Sequence, residues 1–79
     1  MTARVLFFGV TADIAETRAV EVSVENGVSA ARILEMVISQ VPGLTAQKLH
    51  ISLNQQYAAG DEIVGEGDEL AIFTAVSGG

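Results

Sequence analysis

The chain contains no cysteine, and His50 is its only histidine. Without thiols there is no disulfide, no iron–sulfur cluster, no thiolate zinc site and no cysteine nucleophile. One imidazole cannot furnish a His-based metal site, and it argues against a Ser-His-Asp triad within the chain. Positive charge is scarce as well. Four Lys and Arg against ten Asp and Glu leave a net charge of −6 and a pI near 4.4. That balance disfavours direct binding to nucleic acid or anionic lipid and fits a basic partner surface better. No stretch approaches the ~20 apolar residues of a membrane span. The apolar run 5–10 is too short for a secretory signal and Asp13 follows closely, so the expected compartment is the cytoplasm.

What is present describes one small folding unit. The chain has 79 residues, a mass of 8.2 kDa and no internal repeat. Apolar residues at 49% with 18% charged argue against disorder. At this mass a folded chain exposes roughly 4,500 Å², against about 11,900 Å² unfolded. That is enough burial for one modest core and hardly for an internal active-site cavity as well.

The clearest element is a helix. Ala30, Ile33, Leu34, Val37, Ile38 and Val41 share one face at helical spacing, with Arg32, Glu35, Ser39 and Gln40 between them. Ser29 is the expected N-cap, and Val28 and Ile33 are placed as a hydrophobic staple. Pro42 stops the helix and Gly43 turns the chain. The flanks read as strands. Residues 4–10 form a nearly continuous β-favouring run, expected as a central strand covered on both faces. Residues 11–18 are expected as a loop, and residues 19–24 alternate with Val20, Val22 and Val24 on one side. Asn26 and Gly27 turn the chain into the helix. Leu49, Ile51 and Leu53 mark a further strand, 56–58 a short edge strand, 65–68 a turn and 69–75 the last strand. The order is ββαβ(β)β, a mixed α+β sheet of four to five strands with one helix over one face. In the last strand Leu70 and Ile72 take one face, and Ala71 and Phe73 the other. A single helix covers only one of these. Phe73, with Tyr57 on the edge strand, therefore either lies on the uncovered side as a binding surface or completes a small second cluster.

Side-chain chemistry is sparse. The local pairs Asp61-Glu62 and Asp68-Glu69 read as turn acids, because general acid–base pairs need opposed positions and shifted pKa values. Gly60, Gly65 and Gly67 lack the lysine of a P-loop and the G-x-G-x-x-G dinucleotide pattern, and read as turn glycines. His50 falls on the alternate face of its strand and reads as an exposed or hydrogen-bonded histidine. The end of the chain, Val76-Ser77-Gly78-Gly79, is different. Extended, four residues reach about 13–14 Å. The two glycines remove every Cβ near the tip, so such a tail can enter a narrow tunnel. Its reactive group is the α-carboxylate, which becomes useful only when another enzyme adenylates it. On residues alone, a frayed terminus and a functional tail both stand.

The opening RVLFFG (4–9), LNQQY (53–57), GDELAIF (67–73) and the terminal VSGG (76–79) tip that balance. With the ββαβ(β)β order they resemble, along essentially the whole chain, the ubiquitin-like β-grasp proteins of the molybdopterin synthase small-subunit (MoaD) family. The resemblance implies a single β-grasp domain over 1–79, with 76–79 an extended flexible C-terminal tail. It implies that a ubiquitin-activating-type enzyme uses ATP to adenylate Gly79, and that a sulfur donor replaces AMP to leave a thiocarboxylate. The tail would then deliver sulfur to a cyclic pyranopterin monophosphate inside the large synthase subunit, in an assembly of two small and two large subunits. On this reading Gly79 reacts, Gly78 gives clearance, Val76 and Ser77 line the tunnel, and Phe73 and Tyr57 dock on the large subunit. The chain itself would bind no cofactor, metal, nucleic acid or membrane and supply no catalytic side chain; it would be one subunit of a sulfurtransferase. Family members commonly carry two prolines ahead of the tail, where this chain has Thr74-Ala75, which implies a less rigid exit. Two similar readings share the chemistry. The sulfur carriers of thiamin thiazole synthesis also end in Gly-Gly but tend to be shorter and lack the LFF segment, and a protein modifier would pass the same adenylate to an amine. A binding module with an inert tail is the reading from another class.

Overall fold

The computed structural model describes residues 1–74. Five strands, β1 (Thr2–Phe7), β2 (Ala19–Ser23), β3 (Leu49–Leu53), β4 (Gln56–Ala58) and β5 (Glu69–Thr74), form one sheet in the order β2-β1-β5-β3-β4. β1 and β5 run parallel, and the other neighbouring pairs are antiparallel. This is the expected mixed β-grasp sheet, with β4 at an edge. The long helix, α2 (Ala30–Gln40), covers one face through Ala30, Ile33 and Val37, which meet Ala3, Val5, Phe7, Val22, Ile51, Leu70 and Ile72 in one core. A 3₁₀ turn at Pro42–Ala46 follows and buries Leu44.

The start of α2 is held as the sequence predicts and by more. Ser29 Oγ accepts from Arg32 N–H at 3.2 Å. The carbonyls of Gly60 and Glu62 accept from Ala31 and Ala30 at 2.8 and 2.9 Å, so a distant loop completes the cap. Gly60 has φ +123°, and a Cβ there would stand 3.2 Å from the Ala31 Cβ, so only glycine lets the loop come this close. Glu62 ties the same loop. Its carboxylate accepts from the N–H groups of Ala59 and Gly60, both at 2.8 Å, and these bonds hold its pKa below the ordinary carboxylate value. Asp68 is lowered likewise, by the Gly65 N–H at 2.7 Å and then by the Asn54 amide at 3.1 Å.

A depressed folded-state pKa contributes stability above the unfolded value, and the contribution is lost as pH falls through the folded value. Glu62→Gln and Asp68→Asn are therefore expected to melt below the wild type at pH 7. The gap should close as the pH is taken below about 4. Thermal melts across that range test this, and a gap independent of pH would contradict the assignment.

Two expectations are corrected. Residues 4–10 are not one strand covered on both faces. β1 stops at Phe7, its outward residues Thr2 and Arg4 are exposed, and Leu6 is half-buried. Nor are residues 11–18 all loop, because Val10–Ala15 form a short helix, α1. The break falls at Gly9, whose φ of 60° and ψ of −132° are denied to residues with a Cβ. Six residues are too few to display helical periodicity, and α1 has no side-chain N-cap. Tertiary contacts hold it instead. Thr11 is fully buried, accepts from Phe8 N–H at 3.0 Å, and lies 2.7 and 2.9 Å from the carbonyls of Phe8 and Ile72, which share its proton. Thr11→Val keeps the shape and removes the hydroxyl. Since Phe8 N–H also reaches the Ile72 carbonyl at 3.1 Å, those two groups keep a partner and only the Phe8 carbonyl loses its bond. The expected cost is about 1 kcal/mol, read as a fall of roughly 4–8 °C in thermal midpoint.

Candidate functional site

Among the described residues, no element covers the face of the sheet opposite α2. Strand pairing sorts its side chains into rows. Arg4 is in register with Glu21 on one side and Glu69 on the other. Above it Leu6, Ala71, Ser52 and Tyr57 align through the pairs Leu6↔Ala71, Ser52↔Ala71 and Ser52↔Tyr57. Next comes Phe73 opposite His50. Phe73 packs between two rings: the His50 imidazole stacks at 5.9 Å with 24° between planes, and the Tyr57 phenol tilts at 59° and 5.7 Å. Phe73 is half-buried by them, whereas Tyr57 is 81% exposed.

The alternatives left open for Phe73 therefore merge, since the second cluster is itself the exposed surface. Phe8 adds to it. One step past β1, its N–H bonds the Ile72 carbonyl at 3.1 Å, which continues the parallel ladder, and its ring is 53% exposed. Neither Phe8 nor His50 was expected here. For Phe8 the signal was available in the parity with Arg4 and Leu6, hidden by reading the strand through Val10. His50 needs the β3–β5 register, which no local pattern supplies.

Val76, Ser77, Gly78 and Gly79, the predicted tunnel and reacting residues, lie outside the described residues, as does Ala75. Phe73 stands six positions before Gly79 in the sequence. A different concavity of about 680 Å³ lies between residues 23–29 and the Arg32 and Met36 side of α2. The start of α2 brings it no free donor, because the N–H groups of Ala30, Ala31, Arg32 and Ile33 are all bonded to protein acceptors. Among the described residues no group of three or more His, Asp or Glu could hold a metal ion. Among them, too, no helix is long and apolar enough to cross a membrane.

The family model that matches residues 5–79 is that of the ThiS family. The molybdopterin synthase sulfur carrier subunit of Mycobacterium tuberculosis is 32% identical over 78 residues, 95% of this chain and 94% of that one. SAMP1 from Haloferax volcanii, small archaeal modifier protein 1, is 27% identical with a TM-score of 0.86, covering 100% of both chains. The complex of subunits 1 and 2 of molybdopterin-converting factor from Helicobacter pylori contains the same fold at 21% identity and a TM-score of 0.71, covering 100% of both chains.

Proposed function

The chain belongs to the ThiS family, and on that premise we propose that it is the sulfur carrier subunit of a molybdopterin synthase. The observation that carries this reading is the near full-length identity to the Mycobacterium tuberculosis sulfur carrier subunit, at 32%. The exposed aromatic row supports it by supplying a docking face within reach of a terminal Gly78-Gly79.

The chemistry resides in the terminal carboxylate. A ubiquitin-activating-type enzyme consumes ATP: the Gly79 carboxylate attacks the α-phosphate, pyrophosphate leaves, and an acyl-adenylate remains. A sulfur donor then displaces AMP and leaves Gly79 as a thiocarboxylate. Docked through Phe73 and Tyr57, with Val76 and Ser77 along the tunnel and Gly78 giving clearance, the tail presents that sulfur to a cyclic pyranopterin monophosphate. The large subunit supplies the pocket, in a heterotetramer of two small and two large subunits. No cofactor resides in the small subunit, and the ATP belongs to its activating enzyme.

A second reading, a protein modifier, draws on the 27% identity to SAMP1 over the whole chain. One experiment separates the two. The protein is incubated with ATP, a sulfur source and the activating enzyme of its host, alkylated with a thiol reagent and weighed intact. With no cysteine in the chain, a single label at Gly79 reports a thiocarboxylate. Pyranopterin and the large subunit, added before the alkylating reagent, should consume the thiocarboxylate and abolish the label. A thiocarboxylate that survives this addition but feeds thiazole formation would reassign the pathway, and amine conjugates without a label would make the protein a modifier.

A further inference from the structure

Charge on the docking face is not spread evenly. At one end the row Glu21–Arg4–Glu69 carries two carboxylates around one cation. The middle rows, Leu6–Ala71–Ser52 and Phe73–His50, carry no carboxylate. At the other end, where Leu49 pairs with Thr74, the preceding residue is Lys48, which has the parity of His50 and is exposed. Its ammonium has no hydrogen-bond or ion-pair partner among the described residues. Lys48 is the sole lysine in a chain of net charge −6, and it sits beside the point where β5 gives way to the tail. Asp13 and Arg18, one charge of each sign, line a concavity with Phe8 at the border of the face.

A pocket that binds ATP or a phosphorylated pterin is expected to be basic. A lone cation at the root of the inserted tail would then be repelled unless the pocket's mouth carries the opposite sign. We infer that the partner surface receiving this sheet is acidic where it meets Lys48 and basic where it meets Glu21 and Glu69, so that charge fixes the direction in which the sheet docks. The inference rests on the proposed docking to a molybdopterin synthase large subunit and adds the chemistry of that subunit's rim. Reversed by half a turn, the face would set Lys48 against the basic patch and both carboxylates against the acidic one, and the tail would point away from the pocket.

Carbodiimide cross-linking of the full chain to the large subunit of its host tests this. The reagent joins an amine to a carboxylate in contact with it, and the chain has only two amines, Lys48 Nζ and the Met1 N-terminus. The Met1 ammonium bonds the Val24 carbonyl at 2.9 Å at the carboxylate-bearing end of β1, so the two amines report opposite ends of the face. The expected product joins Lys48 to a carboxylate of the large subunit. Lys48→Arg should lose the cross-link and keep its affinity, while Lys48→Glu should bind roughly tenfold more weakly, with a shallower salt dependence. A product through Met1 alone, a product joining two copies of this chain, or unchanged affinity in Lys48→Glu would overturn the inference. If Lys48→Glu binds as the wild type while Phe73→Ala weakens the complex, only the rim chemistry falls. If no complex forms with the wild type, the docking reading falls and takes this one with it.

Discussion

Removal of Gly79 is expected to abolish sulfur transfer and leave the thermal midpoint where it was. The deletion does not remove a carboxylate; it moves one back to Gly78. The reacting carbon then falls short by about 3.3–3.6 Å, the advance of one extended residue. Misplacement by as little as 1 Å can cost about a hundredfold when two groups must meet in a near-attack geometry. A tail short by a whole residue therefore fails at the adenylating enzyme and again at the synthase. Folding should not register the loss. Glycine brings no side chain to a core, and the core among the described residues is built from Ala3 through Ile72. Intact mass after activation and alkylation gives the first readout, and a thermal melt the second. Transfer that survives the deletion would show that the carboxylate is not the reacting group, and a large fall in midpoint would show that the terminus is part of the fold. Gly79→Ala adds a finer step, because a single Cβ at the tip should impair transfer in proportion to the tightness of the tunnel.

The tail reading concerns residues outside the described ones and rests on the sequence alone, where a chain without thiols closes on two residues without Cβ. The α2 helix was legible for the opposite reason, since its apolar residues repeat over eleven positions and Ser29 marks the start. The succession of strands along the chain and the edge position of β4 followed from alternation and turn residues, whereas the sheet order β2-β1-β5-β3-β4 came only with the structure. Where reading failed, long-range contacts had decided the structure. α1 exists because Thr11 bonds a carbonyl 61 positions away and because Gly9 turns the chain there, and neither leaves a periodic trace in six residues. The covered character assigned to residues 4–10 came from their hydrophobicity alone, which cannot distinguish a strand packed on both sides from one that offers Phe8 to a partner. The same limit hid His50. A histidine alternating with Leu49 and Ile51 is unremarkable until β5 is laid beside it and Phe73 is its neighbour.

That neighbour relation also makes Phe73 the position where a truncation should cost most affinity. Its ring lies between His50 and Tyr57, half-buried in the free protein, so its orientation is set before a partner arrives and little rotamer entropy remains to be lost on docking. Aromatic anchors of this kind lose about 1–3 kcal/mol on truncation to alanine, roughly a 5- to 150-fold weaker complex. Tyr57, 81% exposed and touching Phe73 from one side, lies further from such a pocket centre and should lose less when truncated. Stability must be measured alongside, because Phe73→Ala also removes two ring contacts within the chain. The inward neighbours Leu70 and Ile72, 2% and 1% exposed, are untouched by the substitution, so the sheet should stay folded with a modestly lowered midpoint. Calorimetric titration of the large subunit with the folded variant isolates docking from folding. An affinity equal to that of the wild type would remove Phe73 from the interface and leave the aromatic row as an ornament of the fold. Weakened binding with unchanged activation at Gly79 would instead separate two uses of the face, placing the anchor in the synthase complex rather than in the adenylating one.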